Sequence, residues 1–171
     1  MTVYAFLGLG TNLGDREENL RKTIAMIVES IGEVVLCSSV YQTEPWGFQS
    51  ENEFLNAVIK VKTSLKPSGL LGRILMIEAQ LGRLREGKGY SSRIIDIDIL
   101  LYGNEIISKK SLQIPHPLIQ DRRFTLVPLC DIAPEMIHPV LRKTFRELLK
   151  ECRDESVVKR FTPFLFPPRG Q

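Results

Sequence analysis

The segment 93–101 is strongly apolar but has two acidic residues at alternate positions. Its β-branched residues are typical of a buried strand, and side chains alternate between the two faces of a strand. One face would carry Ile95, Ile97, Ile99 and Leu101. The other would carry Asp96 and Asp98, whose carboxylates would point into the same space about 6.6 Å apart. The rest of the chain can be organised around this strand.

The acidic pair Asp96 and Asp98 predicts a site for a divalent metal ion. Two carboxylates on one face repel each other and lose solvation unless a cation or a proton lies between them. A solvated edge strand is the commoner setting for such a pair, but the flanking run is too apolar for one. Ligands that are only carboxylates suit Mg²⁺. Arg93 adds a cation beside the pair, and a metal with an arginine is a combination that binds phosphate.

Hydrophobic periodicity elsewhere predicts a succession of strands and helices. Strands are predicted over 3–9, 33–41 and 54–62. The first helix would be capped by Asp15 with Glu18 and would end at Gly32. The second would begin at Pro67 and run to residue 81. A hairpin after 103–104 and a final amphipathic helix near 145–152 complete the prediction.

A run of glycines over 8–14 follows the first predicted strand. It is similar to the dinucleotide-binding fingerprint, but its third glycine comes one position too late. We therefore interpret the run as a tight connection from strand to helix.

The predicted order is strand, helix, strand, strand, helix, strand. This order is typical of a ferredoxin-like βαββαβ core, an α+β fold with both helices on one face of an antiparallel sheet. The other face would then be open to ligands. Asp96, Asp98, Phe54 and Asn56 all fall on that open face.

Length and composition indicate one globular domain. The chain has 171 residues and a net charge of +3, which fits a small anionic ligand but is too weak to predict nucleic-acid binding. Cys37, Cys130 and Cys152 form no paired motif, so free thiols in a reducing cytoplasm are expected. We see no signal peptide and no apolar stretch of transmembrane length.

Three further features surround this core. The loop 83–93 is basic, contains glycines and leads directly into the acidic strand, which favours a lid over phosphate rather than a solvated linker. Glu78 lies at the edge of the apolar side of the second helix, and we interpret it as a structural carboxylate, with a role in the site as the alternative. The segment 152–171 is a tail without an assigned role, expected to be irregular from residue 161.

The motifs, taken in order, resemble those of the 6-hydroxymethyl-7,8-dihydropterin pyrophosphokinases. The matching segments are G-L-G-T-N-L-G, Y-Q-T-E-P-W-G, F-L-N-A, L-G-R-L-R, R-I-I-D-I-D-I-L-L-Y-G, I-P-H-P, R-R-F-T-L-V-P-L and D-I-A-P-E. The resemblance covers about residues 3–151 as a family-like core. Gly89 and Ser91 depart from the family pattern, and both lie in the predicted lid.

The resemblance implies transfer of a diphosphoryl group from ATP to the hydroxymethyl oxygen of the pterin, with release of AMP, in folate biosynthesis. Two Mg²⁺ ions would be held by Asp96 and Asp98, which with Arg83 and Arg93 would be the catalytic residues. The residues implied for ATP are Arg83, Arg85, Arg93, Ile99, His116 and Arg122. The residues implied for the pterin are Thr43, Glu44, Trp46, Phe54, Asn56, Asp96 and Phe124.

The same resemblance implies a cytoplasmic enzyme that acts on small molecules, without nucleic acid or membrane as partner. A monomer is expected, with a weak dimer as the alternative. Two other functions stay open from the residues alone. A ferredoxin-like sheet can serve as a non-catalytic ligand- or RNA-binding module, and paired aspartates also occur in metal-dependent nucleotidyl transferases.

Overall fold

The computed structural model describes residues 1–44, 53–82 and 94–162. Its strands are β1 (Val3–Thr11), β2 (Gly32–Cys37), β3 (Val40–Thr43), β4 (Phe54–Thr63), β5 (Asp96–Tyr102), β6 (Ile107–Lys109), β7 (Leu112–Ile114) and β8 (Val158–Thr162). Its helices are α1 (Arg16–Ser30), α2 (Pro67–Gln80), α3 (Arg123–Ile132) and α4 (Phe145–Glu151), with a 3₁₀ turn at Ile119–Asp121. Within these residues, no helix is both long enough and apolar enough to span a membrane.

The central sheet has the order β5-β1-β4-β3-β8, and β2 also pairs with β4. All of its pairings are antiparallel. Because α1 connects β1 to β2 and α2 connects β4 to β5, the predicted ferredoxin-like α+β core is confirmed. The predicted strand 33–41 is two strands, interrupted at Ser38, whose hydroxyl accepts a hydrogen bond from the Val58 N–H at 2.9 Å.

The larger hydrophobic core lies between the sheet and helices α1 and α2. The alternation predicted for β4 is confirmed, since one of its faces supplies this core with Leu55, Ala57, Ile59 and Val61. A second core lies on the opposite face of the sheet, where α3 and α4 pack against Phe6, Val58, Leu100 and Leu101. Helices α3 and α4 therefore cover part of the face that was expected to be open to ligands.

A bulge in β5 changes which way its last residues point. The β1 register passes from Leu7 opposite Ile99 directly to Phe6 opposite Leu101, so Leu100 is an extra residue. Leu101 consequently lies in the second core, and the prediction that it shares a face with Ile99 is wrong. The bulge lies after Asp98, so the alternation of the acidic segment is kept.

The end of α1 has a different cause from the one predicted. The Asp15 side chain caps the helix by accepting from the Glu18 N–H at 3.1 Å, as expected. Gly32, however, begins β2 and is not a left-handed helix cap. A Cβ at Gly32 would lie 2.1 Å from the Lys62 carbonyl oxygen, so only glycine allows β2 to approach β4 there.

Ordered structure extends two residues into the segment that was expected to be irregular from residue 161, because β8 ends at Thr162. Strand β8 pairs with β3 from Val40 opposite Thr162 to Thr43 opposite Val158. It thereby adds an edge strand to the ferredoxin-like sheet. The rest of the tail, 163–171, lies outside the described residues.

A buried histidine lies in the turn before α4. His138 is 4% exposed, and its Nδ1 accepts hydrogen bonds from the Val140 and Leu141 N–H groups at 3.1 and 3.0 Å. Burial lowers the pKa of His138. The neutral imidazole is therefore the form that the fold selects.

We expect the free energy of unfolding to fall as the pH drops below about 6.5, because the unfolded chain then binds a proton that folded His138 resists. Urea titrations at several pH values between 7.5 and 5 measure this dependence. In His138→Asn the amide oxygen can still accept a hydrogen bond but does not titrate, so its stability should vary less with pH. An unchanged pH dependence in that variant would contradict the assignment.

Candidate active site

A pocket occupies the open end of the second sheet face. Its floor is made by β1, β4 and β5, and its walls by the end of β3 and the first turn of α3. Eight of the site residues predicted from the sequence line this pocket: Thr43, Glu44, Phe54, Asn56, Asp96, Asp98, Arg122 and Phe124. Residues as far apart in the chain as Thr43 and Phe124 thus share one cavity.

Other predicted site residues are not placed in this pocket. The side chain of Ile99 lies in the larger core, 6% exposed, because strand alternation directs it towards α1 and α2. Trp46, Arg83, Arg85 and Arg93 lie outside the described residues, as does the predicted lid.

The acidic pair faces the pocket from β5. Asp96 and Asp98 are half-buried and line the cavity, whereas Ile97 between them is in the larger core. Glu78 is 3% exposed and accepts a hydrogen bond from the Ile97 N–H at 3.0 Å. This carboxylate of α2 therefore fixes the backbone between the two aspartates, as its interpretation as a structural carboxylate predicts.

Gly8 and Gly10 of β1 leave space in the pocket because they have no side chains. This role was not predicted from the sequence. Gly10 is opposite Asp96 and Gly8 is opposite Asp98, and both glycines line the pocket. Both lie within β1, so Gly10 is not in the tight turn that was predicted. A Cβ at Gly10 would be 3.1 Å from Asn56 Oδ1 and 3.7 Å from Phe54 Cδ1. Alternation of glycine along a strand is the sequence signal that could have revealed this floor.

Gly10→Ala is expected to weaken binding of the pterin that the family resemblance implies by roughly tenfold, because the added methyl group crowds Asn56 and Phe54 in a packed cavity. Calorimetric titration with hydroxymethyl-dihydropterin measures the change. Gly72→Ala is the matched control, since a Cβ at Gly72 in α2 meets nothing within 4 Å and the substitution favours the helix. If the two variants bind the pterin equally well, the absence of a side chain at Gly10 is not required for ligand binding.

The end of the pocket near β3 combines aromatic and amide groups. The Asn56 Nδ2 donates to Thr43 Oγ1 at 2.6 Å, and both residues are buried. This hydrogen bond fixes the orientation of the amide, whose Oδ1 is directed towards the space beside Gly10. Phe54 and Phe124 are half-buried and line the same cavity from β4 and α3. A flat ring with polar edges matches these groups.

A buried cation lies beside the aromatic wall. Arg122 is 7% exposed and lines the pocket. Its guanidinium carbon is 5.5 Å from the centre of the Phe124 ring, within the range of a cation–π contact. The arrangement places a permanent positive charge and an aromatic face side by side at the start of α3.

His116 is held near this charge by its loop. Its backbone N–H donates to the Leu100 carbonyl at 2.9 Å, and its Nδ1 accepts from the Leu118 N–H at 3.1 Å. Burial is the main cause that lowers the pKa of His116 to about 4, with the Arg122 guanidinium lowering it further and Asp96 opposing. At neutral pH the imidazole is therefore uncharged and carries its proton on Nε2, where it can donate a hydrogen bond.

A polar network fixes the point at which the chain enters β5. Thr11 is fully buried and its hydroxyl donates to the Ile94 carbonyl. Asn19 of α1 donates to the Leu13 carbonyl at 2.7 Å and to Thr11 Oγ1 at 3.2 Å. The end of β1 and the first turn of α1 thus hold the chain two residues before Asp96.

The sequence matches one protein family along most of its length. The sequence profile of the 7,8-dihydro-6-hydroxymethylpterin-pyrophosphokinase family matches residues 6–134. The 2-amino-4-hydroxy-6-hydroxymethyldihydropteridine pyrophosphokinase of Aquifex aeolicus is 44% identical over 160 residues, which are 94% of this chain and 95% of that protein. The Bacillus subtilis enzyme of the same name is 39% identical over 137 residues, which are 80% of this chain and 81% of that protein.

A solved structure shows the same fold at low sequence identity. The wild-type HPPK-DHPS of Plasmodium falciparum with pteroate superposes with a TM-score of 0.72 at 21% identity. The match covers 88% of this chain but only 42% of that longer chain.

Fold and sequence together define an ATP-dependent diphosphotransferase. The chain belongs to the 7,8-dihydro-6-hydroxymethylpterin-pyrophosphokinase family. It transfers diphosphate from ATP to hydroxymethyl-dihydropterin in folate biosynthesis, which sets aside the alternatives of a binding module and a nucleotidyl transferase.

Proposed function

We propose that the transfer takes place in the pocket beside β5, with Asp96 and Asp98 holding two Mg²⁺ ions. The observation that carries the proposal is that both carboxylates line the same cavity as the aromatic and amide groups of Phe54, Asn56 and Phe124. A phosphate chain at the acidic end and a flat ring at the aromatic end would then meet inside one pocket.

The donor set fits magnesium. No group of three or more His, Cys, Asp and Glu side chains gathers at one point in the described residues, so protein ligands alone do not complete a metal shell there. Mg²⁺ is ordinarily bound by one or two carboxylates, with water and substrate phosphates filling the remaining positions. When bound, the ions would neutralise charge on the triphosphate and lower the pKa of a coordinated hydroxyl.

The transfer forms one bond and breaks another. The hydroxymethyl oxygen of the pterin attacks the β-phosphorus of ATP and loses its proton to solvent, the bond from that phosphorus to the α–β bridging oxygen breaks, and AMP leaves with that oxygen. Arg122 donates to phosphate oxygens as a permanent cation, and neutral His116 donates from Nε2. Arg83, Arg85 and Arg93 are proposed to bind the same phosphates from the segment outside the described residues.

The pterin is proposed to bind at the other end. Its ring would stack on Phe124 and face Phe54, since both rings line the cavity. The edge of a pterin carries amino and ring N–H donors, and Asn56 Oδ1 and the Glu44 carboxylate are acceptors on the wall of the pocket. Thr43 contributes by fixing the Asn56 amide. Trp46 is proposed to cover the ring from the segment after β3.

Manganese serves as a probe for the two metal positions because its free and bound forms differ in electron paramagnetic resonance. With saturating α,β-methylene-ATP and pterin, we expect two bound Mn²⁺ ions per chain. Asp96→Asn/Asp98→Asn should bind fewer, whereas Glu105→Gln, which changes an exposed carboxylate just after β5, should bind two. Two tightly bound ions in the double variant would contradict the metal assignment.

We further propose that the enzyme works in the reducing cytoplasm as a monomer, without nucleic acid or membrane as partner. The three cysteines are free and each is half-buried, and burial raises the pKa of Cys37 and of Cys130 to about 11. The thiols of Cys37 and Cys130 are therefore protonated and unreactive at neutral pH.

A further inference from the structure

The segment 153–162 lies outside the residues matched by the family profile, yet it contacts the walls of the pocket. It follows α4, passes the first turn of α3 and then forms β8 along β3. Both of these neighbours supply side chains to the ring-binding end of the cavity.

The first contact is made by Asp154 at the start of α3. Its Oδ2 accepts a hydrogen bond from the Arg123 N–H at 3.0 Å, and its Oδ1 accepts from the Ser156 N–H at 3.0 Å. Arg122, the residue before the helix, makes no side-chain cap of its own. A carboxylate from the tail, 31 residues further along the chain, therefore caps α3.

The carboxylate of Asp154 is charged at neutral pH. Burial by itself raises its pKa, but the hydrogen bonds from Ser156 and Arg123, with the Arg123 guanidinium, lower the pKa of Asp154 overall. A negative charge at the N-terminal end of a helix also interacts favourably with the helix dipole. The first turn of α3 that this cap holds contains Phe124 and Thr125, and both line the pocket.

The second contact is the pairing of β8 with β3. Thr43 is opposite Val158 in this register, so the tail lies alongside the strand whose end lines the pocket. Helix α3 is tied to the same strand, because the Tyr41 hydroxyl donates to Asp131 Oδ2 at 2.6 Å. The tail, α3 and β3 therefore form one connected wall.

The third contact reaches the start of β4. The guanidinium carbon of Arg16 lies 6.0 Å from the centre of the Phe161 ring. Arg16 Nη1 also donates to the Glu53 carbonyl at 2.8 Å, immediately before Phe54. The tail thus supports the neighbourhood of both aromatic rings of the pocket.

We propose that Asp154 is a positioning residue for the pterin, which acts by holding the first turn of α3 so that the Phe124 ring stays in its stacking position. The inference rests on the proposed function, in which the pterin stacks on Phe124. The tail would then contribute to pterin affinity, in addition to adding an edge strand to the sheet.

The test compares Asp154→Ala with Glu155→Ala, a matched control in which the neighbouring exposed carboxylate is removed. Pterin affinity is measured by calorimetry with saturating α,β-methylene-ATP, ATP-analogue affinity is measured separately, and KM for each substrate is determined in steady state.

Asp154→Ala should weaken pterin binding by roughly threefold to tenfold, the equivalent of a lost helix cap, and leave the affinity for the ATP analogue within twofold. Asp154→Asn keeps an acceptor oxygen and should recover much of the loss. Glu155→Ala should bind both ligands like the wild type.

Phe124→Ala is measured in parallel to separate the two claims. If Phe124→Ala loses pterin affinity and Asp154→Ala does not, the positioning role is overturned and the proposed function stands. Equal losses for pterin and ATP analogue in Asp154→Ala would likewise overturn it, since they indicate a general structural defect. If Phe124→Ala keeps full pterin affinity, the proposed stacking wall is wrong, and the positioning role is overturned with it.

Discussion

Asp98→Ala is expected to lower kcat by roughly a thousandfold or more, because charge stabilisation through a bound metal contributes several kcal/mol to the transition state. The fold should persist, since Asp98 is half-buried on the pocket face and lies outside both hydrophobic cores. Removing one of two neighbouring carboxylates also relieves repulsion in the metal-free protein. The melting temperature should therefore be equal to or above that of the wild type.

Steady-state assays at saturating Mg²⁺, with melting curves for each variant, test this expectation. Asp96→Ala should behave in the same way. Glu105→Ala removes an exposed carboxylate from the turn after β5 and should retain wild-type kcat. Turnover near the wild-type level in either aspartate variant would remove the basis of the metal assignment, and a large fall in melting temperature would instead indicate a structural role.

Phe124→Ala is expected to weaken pterin binding by about tenfold to a hundredfold, because stacking of a base on an aromatic side chain is worth about 1–3 kcal/mol. Affinity for ATP should hardly change, since Arg122 and His116 remain. The structure supports stacking over core packing, because Phe124 is half-buried in the pocket wall and belongs to neither hydrophobic core.

Phe145→Ala is the matched control for the loss of a phenylalanine. Phe145 is fully buried in the second core, so its truncation should cost about 3–5 kcal/mol of stability and disturb both ligands together. Calorimetric titrations of each ligand, alongside melting curves, distinguish the two patterns. If Phe124→Ala shows the pattern of Phe145→Ala, the pterin wall has been misplaced.

Strand periodicity predicted much of the fold and of the site. Alternation in β4 and in the acidic segment of β5 assigned Phe54, Asn56, Asp96 and Asp98 to one sheet face, and the structure places all four in one pocket. Local alternation sufficed because each segment has a fully apolar opposite face that must be buried. His116, Arg122 and Phe124 are loop and helix residues without such periodicity, so only the family resemblance singled them out.

Features that depend on contacts between distant segments were not predictable from local patterns. The bulge at Leu100 is set by pairing with β1, and Gly32 is required by the approach of the Lys62 carbonyl oxygen. The role of Gly8 and Gly10 as the pocket floor depends on their position opposite the aspartates of β5. The cap that Asp154 provides for α3 joins residues 31 positions apart, and no sequence motif in either segment predicts it.

The nucleotide released in the reaction tests the central claim most directly. The protein is incubated with ATP, Mg²⁺ and 6-hydroxymethyl-7,8-dihydropterin, and the nucleotides and pterins are separated by chromatography. Attack at the β-phosphorus should give AMP and the pterin diphosphate in equal amounts, and Asp98→Ala should give neither at a comparable rate. Accumulation of ADP with a pterin monophosphate would contradict diphosphate transfer by this site.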